Sequence, residues 1–174
     1  MELATDFFSL FALTRNFKLD QQSLDEAYRA MQSQVHPDRF VSASAQAQRI
    51  SMQKAALANE AYATLKSPLK RAAYLLALHG HDLAAESNTA MPTDFLMAQM
   101  AWREQVAEAR AAQAQELLES LATKLAQEMA ADYAQLAILL DVEQDYPAAA
   151  ALTRRLMFLD KLHHDIDDAL AEFD

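Results

Sequence analysis

The chain has 174 residues, 52% of them hydrophobic, with one glycine, four prolines and no cysteine, enough for one ordinary domain or two small ones. A formal net charge of −10 and a pI near 4.9 argue against nucleic acid and anionic membranes as partners. The lack of cysteine removes disulfide frameworks, thiolate nucleophiles and thiolate metal sites.

Abundant Ala, Leu and Gln, with few β-branched residues in alternation, predict an all-α protein. The opening stretch, MELATDFFSLFALTRNF, carries Asp6 within its apolar run and no basic residue ahead of it, so it reads as mature chain rather than a targeting segment. Apolar runs elsewhere are broken by charges well short of the ~20 residues of a membrane span. A soluble cytoplasmic protein is the expectation.

From Asp20, the residues Leu24, Ala27, Tyr28, Met31 and Val35 recur at three-to-four spacing, with Asp20 placed as the cap and Pro37 barring continuation. Ser42 or Ser44 caps a second helix carrying Ile50, Leu57, Ala58, Ala61, Tyr62 and Leu65, antiparallel to the first across a short connection. In KSPLKRAAYLLALHG, Ser67 is the cap, Pro68 the first helical residue and Gly80 the stop. Residues 80 to 93 lack a helical stripe and hold Gly, Asn, Ser, Thr and Pro, which places a joint there. Thr93 then caps a helix running to about Arg110, and the Ala/Gln-rich stretch around 107 to 115 reads as a turn or a frayed end. A long stripe follows from Leu118 to Leu140, and Asp145 with Pro147 opens a last helix with Leu152, Leu156, Leu159, Ile166 and Leu170 on one side. These three make a small bundle.

The stretch VHPDRF raises the question of chemistry. His36 oriented by Asp38 has the makings of a general base, yet no Ser or Cys nucleophile is tied to it by a motif and no Gly-rich phosphate loop exists. The plainer reading is a helix terminator: Pro37 pushes His36 toward extended backbone, and Asp38 begins a turn. A tripeptide alone does not decide between them.

Its surroundings do. Two antiparallel amphipathic helices flank His36-Pro37-Asp38, and NEAYATLKSPLKRAAYLL follows about twenty residues later, a pattern that resembles the J domain over roughly residues 5 to 79. With DFFSLFAL, HPDRF, SPLKRAAYLLALHG, TDFLMAQM and RRLMFLDKL in this order, the chain resembles the HscB family over nearly its whole length.

The resemblance implies a non-enzymatic co-chaperone: a J domain over 1–79, a joint over 80–93 and a C-terminal helical bundle over 94–174. It implies a DnaK-class ATPase chaperone, HscA, as one partner and the iron-sulfur scaffold IscU as the other, with no cofactor or metal of its own. His36, Pro37, Asp38, Arg39 and Arg29 would meet the chaperone; Leu96, Met97, Met100, Arg103, Glu104 and Phe158 would meet the scaffold. A general J-domain protein for other clients, or a small helical enzyme using His36 and Asp38, are the alternatives.

Two features of the scaffold residues stand on the residues themselves. DFLMAQMAW is apolar around much of its helix, so either the helix is buried on two sides or one side awaits a partner. Phe158 falls about 120° from the centre of the last helix's stripe, at or beyond the edge of a core. Against the family pattern, Ala101 stands where an acidic residue is common, Val35 and Ser33 where aromatic or basic ones are, and Arg29 is the one basic residue in the helix before His36. That composition implies weak electrostatic steering onto the chaperone. Adjacent His163 and His164 point about 100° apart on a helix and do not jointly face a metal. His79 and His81 flank Gly80 at a helix end, where a cation is favoured.

Overall fold

The computed structural model describes residues 6 to 35, 43 to 83 and 93 to 173. Every regular element among them is helical, so the chain is all-α. It divides into two compact units, Met1–Leu75 and Leu76–Asp174. The division precedes the joint expected at 80 to 93, of which residues 84 to 92 lie outside the described part, as do His36, Pro37, Asp38 and Arg39.

In the first unit, Asp6 begins α1 (Phe7–Leu10) by accepting the Ser9 amide at 2.9 Å and the Ser9 hydroxyl at 3.0 Å, and it pairs with Arg15. The turn after α1 puts Ala12 at φ 54, a left-handed conformation that a Cβ disfavours; Phe8, Phe11 and Phe17, all buried, hold the segment down. Burial alone would push the Asp6 carboxyl up, but Ser9 and Arg15 together hold it below the usual carboxylate range. A depressed folded pKa adds stability that is present above the unfolded value and lost as pH falls through the folded one. Asp6→Asn is therefore expected to cost about 1 kcal/mol at pH 7, the loss of charge-assisted bonds to a half-exposed arginine. Urea melts should show the gap from wild type closing below about pH 4. A gap of the same size at pH 3 would refute this account.

Asp20 caps α2 (Gln21–Val35), accepting the Ser23 amide at 2.9 Å, and Ser44 caps α3 (Ala45–Lys66), accepting the Ala47 amide at 3.2 Å. The two helices run antiparallel: Asp25 meets Tyr62, Tyr28 meets Asn59 and Val35 meets Ser51, numbers rising in one helix as they fall in the other. Leu24, Ala58, Ala61 and Leu65 are fully buried in this unit, each leucine being worth about 1.5–3 kcal/mol by transfer from water.

The outer seam of the hairpin is polar. Tyr28 and Tyr62 stack at 4.0 Å, the Tyr28 hydroxyl donates to Asn59 at 2.9 Å, and the Tyr62 hydroxyl donates to Asp25 at 2.8 Å. At the end of α2, the buried Ser51 hydroxyl donates to the Val35 carbonyl at 2.7 Å, satisfying one of the acceptors a helix C-terminus leaves open.

Pro68 opens α4 (Pro68–Leu78), where its missing N–H costs nothing. The end of α3 is served from α4: buried Arg71 donates to the Leu65 carbonyl at 2.5 Å while its guanidinium lies 5.2 Å from the Phe17 ring. Tyr74 stacks on Phe7 at 4.4 Å and accepts the Phe7 amide at 3.0 Å. Gly80, at φ 84, then turns the chain, and the His81 amide returns to the Leu76 carbonyl at 2.9 Å, the six-to-one bond of a Schellman stop.

The second unit is a three-helix bundle of α5 (Thr93–Ala111), α6 (Gln115–Ile138) and α7 (Tyr146–Leu170). Ala112, Gln113 and Ala114 form the turn expected in the Ala/Gln-rich stretch, with Gln113 left-handed and the Ala114 amide returning to Ala109 at 2.9 Å. Asp145 caps α7 through the Ala148 amide at 3.0 Å. Between α6 and α7, Leu139–Glu143 widens into a π turn, a departure from the uninterrupted stripe read from the sequence. The extra residue in the turn leaves Leu136, Leu139 and Leu140 buried while Val142 stands 75% exposed.

Trp102, Val106, Leu118, Leu125, Leu159 and Ile166 lie at the centre of the bundle. Arg155 ties α7 to α6 through Asp132 at 2.6 Å and Glu128 at 3.2 Å. Arg110 pairs with Glu172 beyond the far end of α7.

Candidate partner-binding surfaces

Helical geometry sorts the residues of α5 into two faces. At about 100° per residue, Trp102, Val106 and Ala109 fall within about 60° of one another, and all three are buried. Leu96, Met97, Met100, Ala101, Arg103 and Glu104 occupy an arc of about 160° on the other side, and all six are exposed. Of the two explanations for the apolar excess of this helix, exposure is the one observed. Leu96 is 47%, Met97 64% and Met100 71% accessible, which no folded-state packing requires.

Phe158 of α7 borders this face. It is half-buried, packing edge-on against Phe95 with ring centres 5.9 Å apart, and the Arg103 guanidinium lies 5.4 Å from its ring centre. The position at the core's edge is the one its angle on the helix predicts. The structure thus brings five of the six residues assigned to a scaffold contact onto one helix face and joins the sixth to them through Arg103. Met97, Ala101 and Glu104 share one row along α5, so with Ala101 the row is apolar up to Glu104.

On α2, Arg29 is exposed and is the helix's one basic residue. Glu26 accepts a bond from Gln22 at 2.9 Å, and the Ser33 hydroxyl donates to the Ala30 carbonyl at 2.8 Å, so this face is mostly neutral or acidic. The residues assigned to chaperone contact beyond it, His36, Pro37, Asp38 and Arg39, fall outside the described residues. Val35, the last described residue of α2, has its carbonyl held by Ser51.

The histidines of α7 diverge: His163 pairs forward with Asp167 at 2.9 Å, and His164 contacts the Asp160 carbonyl backward at 2.7 Å. That backbone contact, then the Asp160 charge, raises the His164 pKa. Among the described residues no three His, Asp or Glu side chains converge as a metal site. Two arrangements escaped the sequence reading. His79 stacks on Tyr146 at 4.1 Å with His81 tilted against the same ring at 5.9 Å, and the Tyr28–Tyr62 pair joins a polar seam. For the second a signal existed, since tyrosines on a core-facing stripe must find partners for their hydroxyls.

Residues 91–167 match the family model described as the HSCB C-terminal oligomerisation domain. A co-chaperone protein HscB homolog of Azoarcus sp. is 49% identical over 170 residues, 98% of this chain and 96% of the relative. Another from Cupriavidus taiwanensis is 48% identical over 97% of this chain and 96% of its own. Among solved structures, chaperone HscB from Vibrio cholerae is 35% identical and superposes with a TM-score of 0.86, covering 98% of this chain and all of its own. The human co-chaperone protein HscB is 26% identical with a TM-score of 0.89, covering 96% and 83% respectively. Agreement in sequence over almost the full length, and in fold over both the J-type hairpin and the three-helix bundle, places the chain in the HscB family of co-chaperones.

Proposed function

We propose that the chain is a tether without catalytic residues of its own. Its J domain, residues 1–79, engages HscA, a DnaK-class ATPase chaperone, through His36, Pro37, Asp38, Arg39 and Arg29. Its bundle, residues 94–174, holds the iron-sulfur scaffold IscU through Leu96, Met97, Met100, Arg103, Glu104 and Phe158. Both steps take place in the cytoplasm and serve maturation of iron-sulfur proteins. The chaperone half rests on the resemblance of the His-Pro-Asp stretch; the scaffold half is supported by one observation, the exposed apolar face of α5 bordered by Arg103 over Phe158.

The mechanism needs no covalent chemistry. Holding scaffold and chaperone on one chain turns their encounter into an intramolecular one, at an effective concentration of about millimolar for a short connection. The His-Pro-Asp loop then promotes hydrolysis on HscA while the client is in place. Steady-state HscA turnover tests this directly. Turnover with this protein and IscU together is expected to exceed the sum of the two separate effects at sub-saturating concentrations. A purely additive response would overturn the tether.

A further inference from the structure

Along the chain, His36-Pro37-Asp38 falls between Val35 and Ala43, and a side chain of α3 holds the carbonyl of each. On the entering side the Ser51 hydroxyl donates to the Val35 carbonyl at 2.7 Å; on the leaving side the Gln48 amide donates to the Ala43 carbonyl at 3.3 Å. Gln48 and Ser51 are three residues apart, on one face of the helix. A hydroxyl inside a helix ordinarily bonds back to its own preceding turn, as Thr123 does with the Glu119 carbonyl and Thr153 with the Ala149 carbonyl. Ser51 reaches across to α2 instead. At 2% exposure it is too deep for a partner to touch, so whatever it contributes to binding passes through Val35.

The Val35 carbonyl belongs to the peptide bond that leads into His36. That peptide is a rigid plane, so holding its oxygen orients the whole unit. Downstream, the ring of Pro37 locks its own φ and restricts the residue before it toward extended backbone. Few free torsions therefore separate the held carbonyl from the imidazole and the carboxylate that follow. Without the hydroxyl the carbonyl loses its buried donor, and the peptide plane is released to find another. We propose that Ser51 is a positioning residue for chaperone engagement: its hydroxyl sets the direction in which the chain leaves α2, and so the orientation in which His36-Pro37-Asp38 meets HscA.

This rests on the reading of His36, Pro37 and Asp38 as the chaperone contact, and the test separates the two. Steady-state HscA turnover, titrated with the full chain, would compare wild type with Ser51→Ala, Ala56→Gly and His36→Gln. Ala56 is exposed and lies in the same helix, so glycine there weakens α3 while the bond to Val35 stays. Alanine is the better helix former at position 51, and urea melts followed by circular dichroism give the folded fraction of each variant. A partner that takes one orientation out of several binds more weakly by the fraction of time it is occupied, while the saturated complex is unchanged. Ser51→Ala is therefore expected to raise the concentration for half-maximal stimulation about fivefold, the occupancy lost with one hydrogen bond, and to leave maximal turnover as in wild type. Ala56→Gly should match wild type in both. An equal shift in Ala56→Gly would trace the effect to stability and overturn the proposal, as would a Ser51→Ala whose maximal turnover falls. With His36→Gln inactive, an unshifted Ser51→Ala overturns the role of Ser51 alone. If His36→Gln stimulates like wild type, the reading of the stretch fails and the role of Ser51 with it.

Discussion

Replacing Leu96 and Met97 together with alanine is expected to weaken IscU binding about a hundredfold and leave the protein's own unfolding midpoint where it was. The two effects separate because both side chains are exposed, at 47% and 64%, so the free fold loses almost no packing when they are shortened. Surface changes of this kind fall within about ±0.5 kcal/mol, and alanine is the better helix former. In a complex the same side chains are desolvated. Truncating an apolar residue near the centre of an interface costs about 1–2 kcal/mol, so two together reach roughly 2–4 kcal/mol, or 30- to 1,000-fold. Phe158→Ala is a poorer test, since that ring also packs on Phe95 and its loss would disturb the bundle's edge. Titration calorimetry paired with thermal melts gives both readouts. Binding within twofold of wild type would sink the assignment of this face.

Many helix boundaries were legible in the sequence because they are written in local chemistry, whereas α6 starts after Ala114 with no side-chain cap and Thr93, expected as a cap, is the first residue of α5. Asp20, Ser44 and Asp145 act as caps through their own side chains, Pro68 starts a helix and Gly80 stops one. The outward face of α5 was half legible. A helix apolar on more than one side could be seen, but which side was covered depends on where α6 and α7 lie, and that is tertiary information. What escaped was whatever joins distant residues. The π turn at Leu139–Glu143, the Arg71 bond to the Leu65 carbonyl and the Tyr146 stack on His79 leave no periodic trace, since each exists only once two elements meet.

His36→Gln is expected to abolish most of the stimulation of HscA, by tenfold or more, with IscU affinity unchanged. Glutamine keeps the hydrogen-bonding capacity and approximate length of histidine while removing the imidazole and its positive form. The substitution follows Val35, where α2 ends on a carbonyl held by Ser51, so the helices on either side retain their own caps and contacts. None of the residues assigned to the scaffold lies near it in the chain; they belong to α5 and α7 of the other unit. Stimulation that survives the change would remove the His-Pro-Asp stretch from the mechanism. A stricter demand comes from mixing the His36→Gln chain, which still holds scaffold, with the Leu96→Ala/Met97→Ala chain, which still meets chaperone. If the gain comes from linkage, each chain in the mixture carries only one of the two connections, and the joint effect of wild type with IscU should not return. Recovery in the mixture would show that the two surfaces act independently, and the tether would have to be given up.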